Sequence, residues 1–413
     1  MRVAIVGSGV SGLVVAHHLH RKHDIAVFEA EPRAGGHVHT VDVEGGGRSW
    51  AVDTGFIVFN EENYPNLVRL LDELGVASQP STMSFSVKDE RSGLEWNGSS
   101  LDQIFAQRSN LLRPSFHGML ADVVRFRRES RELLDGGDGE PTLGEFLAAR
   151  GYARTFVEDC IVPMGASIWS AAPASIERFP ARTFARFFHN HRFLESEQPG
   201  WRVVRGGSRS YLGPLTRPFQ DRIRTATPVE RVRRGPEGVE VTPRGGTPER
   251  FDEVVIATHS DEALRMLADP TPAEREVLGA FGWQANDTIL HTDTAVLPEA
   301  RRAWGSWNYL VPAAAQGRPL LTYDMNRLQS LDAPETFCVS LNMADRIDPS
   351  RVRRRLAYAH PVFTTEAVQA QRRHAEVSGV GRTHYAGAYW GYGFHEDGVN
   401  SALAVVRAFG IDA

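Results

Sequence analysis

The sequence predicts an α/β protein in which a two-part Rossmann-like nucleotide-binding fold is interleaved with an α+β domain. A short apolar strand, a glycine turn, a helix and a second strand follow one another over residues 2–29. Short strand-like runs return at 225–233, 239–242 and 254–257, and this middle region resembles the first unit more than its neighbours. A glycine-rich turn that leads into a helix closes the chain. The nucleotide-binding part is therefore expected to be assembled from distant segments.

Length and composition indicate an ordinary globular protein. A chain of 413 residues, 42% apolar and 23% charged, suggests two to three domains or one large interleaved unit. The first apolar run is too short for a signal peptide or a membrane span, and Cys160 and Cys338 lack the spacing of a disulfide framework or metal site. We therefore expect a cytoplasmic protein in a reducing compartment.

Charge argues against one class of partner. The net charge of −5 disfavours nucleic acid, which needs a strongly basic face. Basic runs begin at Arg125 (RFRRESR) and Arg351 (RVRRR). Solvated helix faces explain both runs more simply, but peripheral contact with anionic lipid stays open.

The first glycine turn has the GxGxxG pattern, with Gly7, Gly9 and Gly12 between a strand and a helix. At such a helix N-terminus, backbone amides and the helix dipole favour a pyrophosphate. A purely structural turn would look the same, so the context matters. Glu29 ends the second strand 22 residues after Gly7, where a carboxylate can bind a ribose hydroxyl pair and would repel the 2′-phosphate of NADP.

A second glycine turn follows, and here the sequence resembles the flavin amine oxidase superfamily. Its ExxxRxGGxxxT element is matched in register by Glu29, Arg33, Gly35, Gly36 and Thr40. The DxG segment that follows in the superfamily is matched by Asp53, Thr54 and Gly55. The resemblance implies that these elements line FAD.

Three later segments fit the same resemblance. TPVERV looks like the strand whose backbone pairs with adenine, with Val229 at the contact, although a buried valine needs no such role. VVIATHS looks like an ATG-type segment that includes Ala257, and GAYWGYGFHEDGVNSALAVV looks like the C-terminal element that closes over the flavin. The full set of implied FAD-binding residues is Gly7, Gly9, Val10, Ser11, Gly12, Glu29, Ala30, Arg33, Gly35, Gly36, His37, Thr40, Thr54, Gly55, Val229, Ala257, Gly387, Glu396, Asp397, Val399 and Asn400.

These elements divide the chain. The ranges 1–60, 201–262 and 376–413 are predicted to form the FAD-binding domain, and 61–200 and 263–375 the α+β substrate domain. In the second set, LVRLLDELG predicts a helix from Tyr64 to about Gly75, and helical signals run from Leu101 to Leu134. The TLGE stretch from Thr142 predicts a helix that starts with a capping box.

Several long stretches resemble one bacterial branch of the superfamily, described as predicted NAD/FAD-binding, amine oxidase-like proteins. They start at Asp53 (DTGFIVFNEENYPNL), Pro163 (PMGASIWS), Phe187 (FFHNH), Val203 (VVRGGSRSY), Thr322 (TYDMNRLQ) and Gly387 (GAYWGYGFHEDG). The branch is associated with cyclopropane fatty acid synthases as gene neighbours or fused domains. The resemblance therefore implies a lipid acyl substrate and a cyclopropane fatty acid synthase-like enzyme as a partner.

Lysine usage points away from amine oxidation. Many amine oxidases of the superfamily place a lysine in the substrate half, but Lys22 and Lys88 are the chain's two lysines and neither lies where that lysine is expected. Phe394 stands where a tyrosine of the amine-presenting cage is common. Tyr389, Trp390 and Tyr392 would either replace that cage or simply pack.

Flavin oxidation needs a pocket over the ring and sometimes a base. His189, His191 and His395 are candidate catalytic residues by their intrinsic pKa, although each also fits a structural histidine. His37 and His39 lie close to the phosphate loop, where contact with FAD is more plausible than catalysis. The predicted lining of the substrate pocket is Trp169, Tyr323, Tyr389 and Trp390. No metal site is expected, because the histidine pairs lack convergent carboxylates or cysteines.

The sequence thus predicts an FAD-dependent oxidoreductase that removes a hydride from an aliphatic, lipid acyl substrate, by desaturation or oxidation. An amine or carotenoid-type flavin oxidase, and a flavin-binding isomerase without net redox, stay open as alternatives.

Overall fold

A computed structural model of the chain describes residues 1–135, 141–193, 199–314 and 316–412. The strands in this part are β1 (Arg2–Val6), β2 (Asp24–Phe28), β3 (Thr40–Gly45), β4 (Arg48–Asp53), β5 (Val58–Asn60), β6 (Ser78–Pro80), β7 (Phe85–Asp89), β8 (Leu94–Asn97), β9 (Trp201–Val204), β10 (Ile223–Arg224), β11 (Val229–Gly235), β12 (Gly238–Pro243), β13 (Glu249–Phe251), β14 (Glu253–Ile256), β15 (Gly282–His291), β16 (Trp307–Val311), β17 (Leu321–Asp324), β18 (Cys338–Leu341), β19 (Val352–Val362) and β20 (Thr383–Tyr385).

The α-helices in the same residues are α1 (Val10–Leu19), α2 (Pro65–Glu73), α3 (Leu101–Ile104), α4 (Pro114–Glu129), α5 (Leu143–Ala149), α6 (Arg154–Phe156), α7 (Val162–Trp169), α8 (Pro173–Glu177), α9 (Ala181–Asn190), α10 (Leu212–Thr216), α11 (Ser260–Met266), α12 (Pro272–Gly279), α13 (Met325–Gln329), α14 (Thr365–Gln371), α15 (His374–Val377) and α16 (His395–Ala408). None of the described helices combines the length and the apolar character needed to cross a membrane.

A five-stranded parallel sheet organises the first half of the fold. Its strand order is β10-β2-β1-β14-β20, and every neighbouring pair runs parallel. Alternate residues of β1 face opposite sides, so Val3 and Ile5 pack with α1 and α16 while Ala4 and Val6 pack with β11, β12 and α11. Covering both faces in this way explains why the three central strands, β2, β1 and β14, are almost entirely apolar.

A seven-stranded mixed sheet organises the second half. Its order is β19-β15-β18-β17-β16-β7-β8, with β16 and β7 parallel and the other pairs antiparallel. The sheet joins strands from 85–97 to strands from 282–362. Helices α4–α9 pack against it through a large aromatic core. The α/β fold class predicted from the sequence is confirmed by the combination of these two sheets.

Two local predictions from the sequence, the end of α2 and the start of α5, are confirmed, and each rests on one short signal. α2 ends just before Gly75, which has a φ of 67°. Thr142 and Glu145 form the predicted capping box at the start of α5. The helical signal over 101–134 is instead divided into α3, α4 and two 3₁₀ turns, at Arg108–Leu112 and Ser130–Leu133. The proline that opens α4 explains one break, because Pro114 fits the first turn of a helix but not its interior.

Candidate cofactor and substrate site

Two helix N-termini meet at the carboxyl edge of the parallel sheet. α1 follows β1 and α16 follows β20, and parallel strands place both helix starts at the same edge. The Ser11 hydroxyl donates to the Gly398 carbonyl at 3.0 Å, so the two helices touch at their first turns. No side chain caps the first turn of α1. Its amides and dipole are therefore available to an anion.

Glycines make this contact possible. A Cβ on Gly12 would lie 2.0 Å from the Gly7 carbonyl oxygen, and one on Gly398 would lie 2.7 Å from a methyl of Val10. A Cβ on Gly36 would come within 3.1 Å of the Gly9 Cα, so the second glycine turn lies against the first. Gly9 itself faces open space within 4 Å. The loop is closely packed behind and open in front, which is the shape that a bound pyrophosphate needs.

Glu29 lies beside this loop at the end of β2. Its carboxylate accepts the Ser8 amide at 2.9 Å and the Glu31 amide at 2.8 Å, and the side chain is 8% exposed. The Thr227 amide donates to the Glu29 carbonyl at 2.7 Å, so the chain entering β11 at Val229 runs next to it. Val229 is buried, whereas Ala30 is exposed. This places the predicted ribose and adenine residues together, and their contact with a cofactor stays a prediction.

The second glycine turn is held by side chains that point into the protein. The Arg33 guanidinium donates to the Gly36 carbonyl at 2.8 Å. The Thr40 hydroxyl donates to the Asp53 carboxylate at 2.6 Å, and Asp53 also accepts the Ser208 amide at 2.9 Å. Asp53 is fully buried, and burial raises the pKa of this carboxyl to about 6. Thr40 and Asp53 therefore connect segments near the cleft, and a direct role for Thr40 in FAD binding stays a prediction.

A group of histidines lines the open side of the cleft. The His37 ring lies 4.8 Å from Tyr358, 5.4 Å from His360 and 6.5 Å from His259, measured between ring centroids. The His37 Nε2 atom is buried and has no hydrogen-bond partner. Burial lowers the pKa of His37 well below its usual value and that of His360 to about 4. The His37 and His360 rings are neutral at physiological pH, and the His37 Nε2 atom has no partner within the described residues.

Two further residues complete this wall. The Tyr358 hydroxyl lies 2.9 Å from the Thr54 hydroxyl and 3.1 Å from the His39 Nδ1 atom. The Trp283 ring stacks on His259 at 3.8 Å. Sequence reasoning missed Trp283, Tyr358 and His360, because β15 and β19 bring them to the cleft from hundreds of residues away and no short motif marks them. His259 lies in the VVIATHS segment, but no role was predicted for it.

In the C-terminal element, the acidic side chains accept hydrogen bonds from backbone amides of the protein itself. The two Glu396 carboxylate oxygens accept the Asn66 amide at 3.0 Å and the Leu67 amide at 2.8 Å, at the start of α2. The Asn400 side chain accepts from Asn66 at 2.7 Å, on the same side of α16. Asp397 accepts the amide of Phe394 at 2.9 Å, at the start of its own helix. Predicted cofactor contacts of these three residues stay predictions.

Other residues of this element support the helix start. Val399 is 1% exposed and packs in the core below α1 and α16. The Gly387 amide donates to the Ser401 hydroxyl at 2.9 Å, which fixes the turn between β20 and α16. Thr54 and Gly55 follow β4 and lie against the second glycine turn, because a Cβ on Gly55 would be 2.2 Å from the His37 carbonyl oxygen.

The three candidate catalytic histidines lie in different surroundings. His395 stacks on Phe56 at 3.7 Å, its Nε2 atom is 2.7 Å from the Tyr211 hydroxyl, and burial lowers its pKa to about 3. His191 stacks on Phe187 at 4.0 Å, and burial lowers its pKa to about 4. His189 lies 3.1 Å from the Ser130 hydroxyl, at the junction of α9 with the turn after α4.

The predicted pocket residues separate into two pairs. Trp169 is 4% exposed, donates its indole N–H to the Tyr392 carbonyl at 3.1 Å and packs against Phe187 at 4.8 Å. Tyr323 approaches the same end of α7 and packs against Trp307 at 5.6 Å. Tyr389 and Trp390 belong to another core, where both contact Phe281. The first pair therefore lies in the substrate half, and the second belongs to the C-terminal element and packs into the core around Phe281.

These residues fit FAD. The open face at Gly9, the uncapped start of α1 and the unpartnered His37 Nε2 atom provide donors and space for a dinucleotide pyrophosphate. Glu29 lies beside the same loop, where the family resemblance implies that a ribose is bound. The described residues contain no group of three or more histidine, cysteine, aspartate or glutamate side chains placed to hold a metal ion.

Comparisons with known proteins agree with this geometry. The sequence profile of a family described as "Flavin containing amine oxidoreductase" matches residues 10–301. Protoporphyrinogen oxidase 2 of Arabidopsis thaliana is 29% identical over 181 residues, which are 42% of this chain and 34% of that protein. Protoporphyrinogen oxidase of Nicotiana tabacum is 26% identical over 239 residues, 56% of this chain and 44% of that protein. The chain thus spans less than half the length of these curated relatives.

Solved structures show the same fold over the whole chain. Cyclohexylamine oxidase from Brevibacterium oxydans superposes with a TM-score of 0.70 at 15% identity, covering 99% of both chains. A CLA-producing fatty acid isomerase from P. acnes superposes with a TM-score of 0.68 at 15% identity, again covering 99% of both chains. At such identities the likeness describes the fold alone.

Proposed function

The chain belongs to the family of flavin-containing amine oxidoreductases, and we propose that it is an FAD-dependent oxidoreductase that removes a hydride from the acyl chain of a lipid. FAD supplies the hydride acceptor when it is bound. The protein supplies the cleft, the orientation of the substrate and the exclusion of water. The proposal keeps the cytoplasmic location expected from the sequence.

The observation that carries the proposal is the apolar junction between the C-terminal element and the substrate half. Phe394 stacks on Phe187 at 5.0 Å, and the indole of Trp169 donates to the carbonyl of Tyr392, two residues before Phe394. Phe179 and Phe184 continue this surface behind Trp169 at 4.5 and 5.6 Å. An acyl chain that reaches this junction would gain about 0.8 kcal/mol for each methylene group removed from water.

The positions of the two lysines support an aliphatic substrate over an amine. The Lys88 ammonium lies 3.2 Å from Glu299 and 3.8 Å from Glu95, on the strands at the edge of the mixed sheet. Lys22 is exposed in the turn before β2. Neither lysine contacts the junction of Trp169 and Phe394, and neither lies where the resemblance leads us to expect the lysine of amine oxidases.

An isomerase without net redox is the second candidate, and two observations favour it. The structural likeness includes a fatty acid isomerase. The pKa values of His191 and His395, about 4 and about 3, make both imidazoles weak bases. Desaturation requires a proton to leave a second carbon, whereas returning the hydride elsewhere on the chain requires no base.

Anaerobic incubation of the yellow holoprotein tests the proposal. We expect lipids with unsaturated or cyclopropane-containing acyl chains to bleach the flavin absorbance and aliphatic amines to leave it unchanged. Bleaching by amines alone would contradict the proposal. A shifted double bond in the recovered lipid, without lasting bleaching, would establish the isomerase instead.

The proposal also concerns the source of the substrate. A cyclopropane fatty acid synthase-like enzyme would supply modified acyl chains, as the sequence resemblance implies. Comparing cyclopropane lipids with their unmodified parents in the same bleaching experiment tests this link, and equal rates for both would argue against it.

A further inference from the structure

Exposed large apolar side chains are concentrated in one segment of the substrate half. Among the described residues, six such side chains are strongly exposed, and four of them fall within 101–124. Their exposed fractions are 77% for Leu101, 51% for Leu111, 87% for Leu112 and 71% for Val124. We call these four residues the leucine patch. Exposed apolar groups gathered in this way mark an interaction surface more often than scattered ones do.

Local contacts bring the patch together. His117, Ala121 and Val124 are spaced by four and three residues along α4 and are all exposed, so they share its outer face. The His117 Nε2 atom lies 2.9 Å from the Leu111 carbonyl, which holds the Leu111–Leu112 turn against this face. Phe105 lies 6.0 Å from the same ring and one helical turn after Leu101.

The apolar residues on the outer face of α4 are not needed to bury the core of the protein. The opposite face of α4 is already buried, with Phe116, Met119 and Phe126 each at most 1% exposed in the core that includes Trp169. The helix therefore has an inner face that stabilises the fold and an apolar outer face that leaves Val124 in water.

The charge around the patch favours one partner. Residues 101–131, which include the patch, contain six arginines and three acidic residues, a formal charge of +3 in a chain whose total is −5. Asp122 and Glu129 are buried and pair with Arg125, and the exposed Asp102 pairs with Arg108. Arg128, by contrast, keeps 78% of its side chain exposed on the outer face. Basic residues that surround exposed leucines match an anionic lipid surface, which attracts the charge and takes up the apolar groups.

We propose that the leucine patch docks the protein onto anionic membranes, with Leu111 and Leu112 entering the boundary between headgroups and acyl chains and the surrounding arginines facing the headgroups. Docking goes beyond the proposed hydride removal and does not depend on it, because vesicle binding involves no turnover. A second copy of the chain is the competing occupant of the same surface.

Flotation of the flavin-loaded full chain with lipid vesicles tests the proposal. We expect binding to vesicles of phosphatidylcholine with phosphatidylglycerol, weaker binding to phosphatidylcholine alone, and loss of binding at high salt. The double variant Leu111→Asp, Leu112→Asp should lower the vesicle partition coefficient at least about tenfold. Val380→Asp is the matched control, because Val380 is 48% exposed and lies outside the segment; its binding should equal that of the wild type.

Unchanged flavin absorbance and thermal midpoint show that each variant is folded. Equal vesicle binding by the double variant, or none by the wild type, would overturn the proposal. Sedimentation of the wild type as an oligomer that the double variant dissolves, without vesicle binding, would assign the surface to a second copy and also overturn it. Vesicle binding without bleaching by any acyl lipid would keep the docking surface and end the proposed substrate.

Discussion

The cofactor cradle, which we define as the two glycine turns that pack around Gly12, and the aromatic core around Trp169 achieve close packing in opposite ways. In the cradle, helices and loops touch because side chains are missing, and a Cβ on Gly12 would lie 2.0 Å from a carbonyl oxygen. In the aromatic core, segments touch because large rings fill the space, with three phenylalanine rings within 5.6 Å of Trp169. We therefore expect the cradle to be damaged by added atoms and the core by removed ones.

Removing the ring at the centre of the aromatic core should have the largest effect on stability. Trp169→Ala leaves a cavity among Phe179, Phe184 and Phe187, and we expect the free energy of unfolding to fall by about 4 kcal/mol. Urea unfolding measures this change. Trp169→Phe keeps most of the volume, and it should lose much less stability. A loss below about 1 kcal/mol for the alanine variant would show that the core readily collapses around the gap.

Adding one methyl group to the cradle should be the next largest perturbation. Gly12→Ala forces the Gly7 carbonyl away from α1, and we expect a cost of about 3 kcal/mol together with loss of most bound flavin, read from the absorbance of purified protein. Gly118→Ala, in an open position of α4, is the matched control and should stabilise the protein by roughly 0.5–1 kcal/mol. Normal flavin content in the Gly12 variant would contradict the close packing described for this turn.

Acid should affect both regions, because each contains buried neutral histidines. Burial lowers the folded-state pKa of His191 from 6.5 to about 4. Between pH 6.5 and about pH 4, His191 is protonated in the unfolded chain but stays neutral in the folded chain. The unfolded chain therefore binds more protons in this interval, and stability present above pH 6.5 is lost as the pH falls. Each such histidine contributes a slope of about 1.4 kcal/mol per pH unit.

The variant His191→Asn should reduce that slope by about one proton, as measured by urea unfolding between pH 6.5 and 4.5. Stability at pH 7.5 serves as the reference for any direct cost of the substitution. An unchanged slope would mean that His191 titrates alike in the folded and unfolded chain.

The smallest expected effect comes from changing Glu396, and it tests whether this side chain supports the fold or binds the cofactor. Because Glu396 accepts two amides at the start of α2, Glu396→Gln should cost about 1 kcal/mol of unfolding free energy and leave flavin affinity nearly unchanged. Asn66→Ala, which removes the side-chain contacts to Glu396 and Asn400 but keeps the Glu396 carboxylate, is the control. A marked loss of flavin affinity in the Glu396 variant alone would establish this carboxylate as a cofactor ligand.

The difference between the cradle and the aromatic core also explains which features could be predicted from the sequence. The cradle depends on glycines at fixed spacing, since Gly7 requires a φ of 101° and Gly12 requires close contact, and such requirements leave short patterns. The α/β class, the start of α1 and the family resemblance followed from these patterns. The capping box at Thr142 was equally local.

The rest of the site was not accessible from local patterns. Tyr358 reaches Thr54 across 304 residues because β19 pairs with β15 at the edge of the mixed sheet, and nothing near Tyr358 in sequence announces that pairing. Glu396 could be placed in the closing element by resemblance, but its contact with the α2 amides depends on how two helices cross. The break of the 101–134 helical signal into shorter pieces also depends on the core beneath α4, in addition to Pro114.

The arrangement of the parallel sheet also sets an order of events during biosynthesis. β1 and α1 leave the ribosome long before α16, whose helix start faces them, and β20 joins the sheet only after residue 385 has been made. A growing chain therefore exposes an incomplete nucleotide cleft until α16 has been made. Flavin capture has to wait for that helix, so chains on which synthesis stops before α16 would stay colourless with an open cleft.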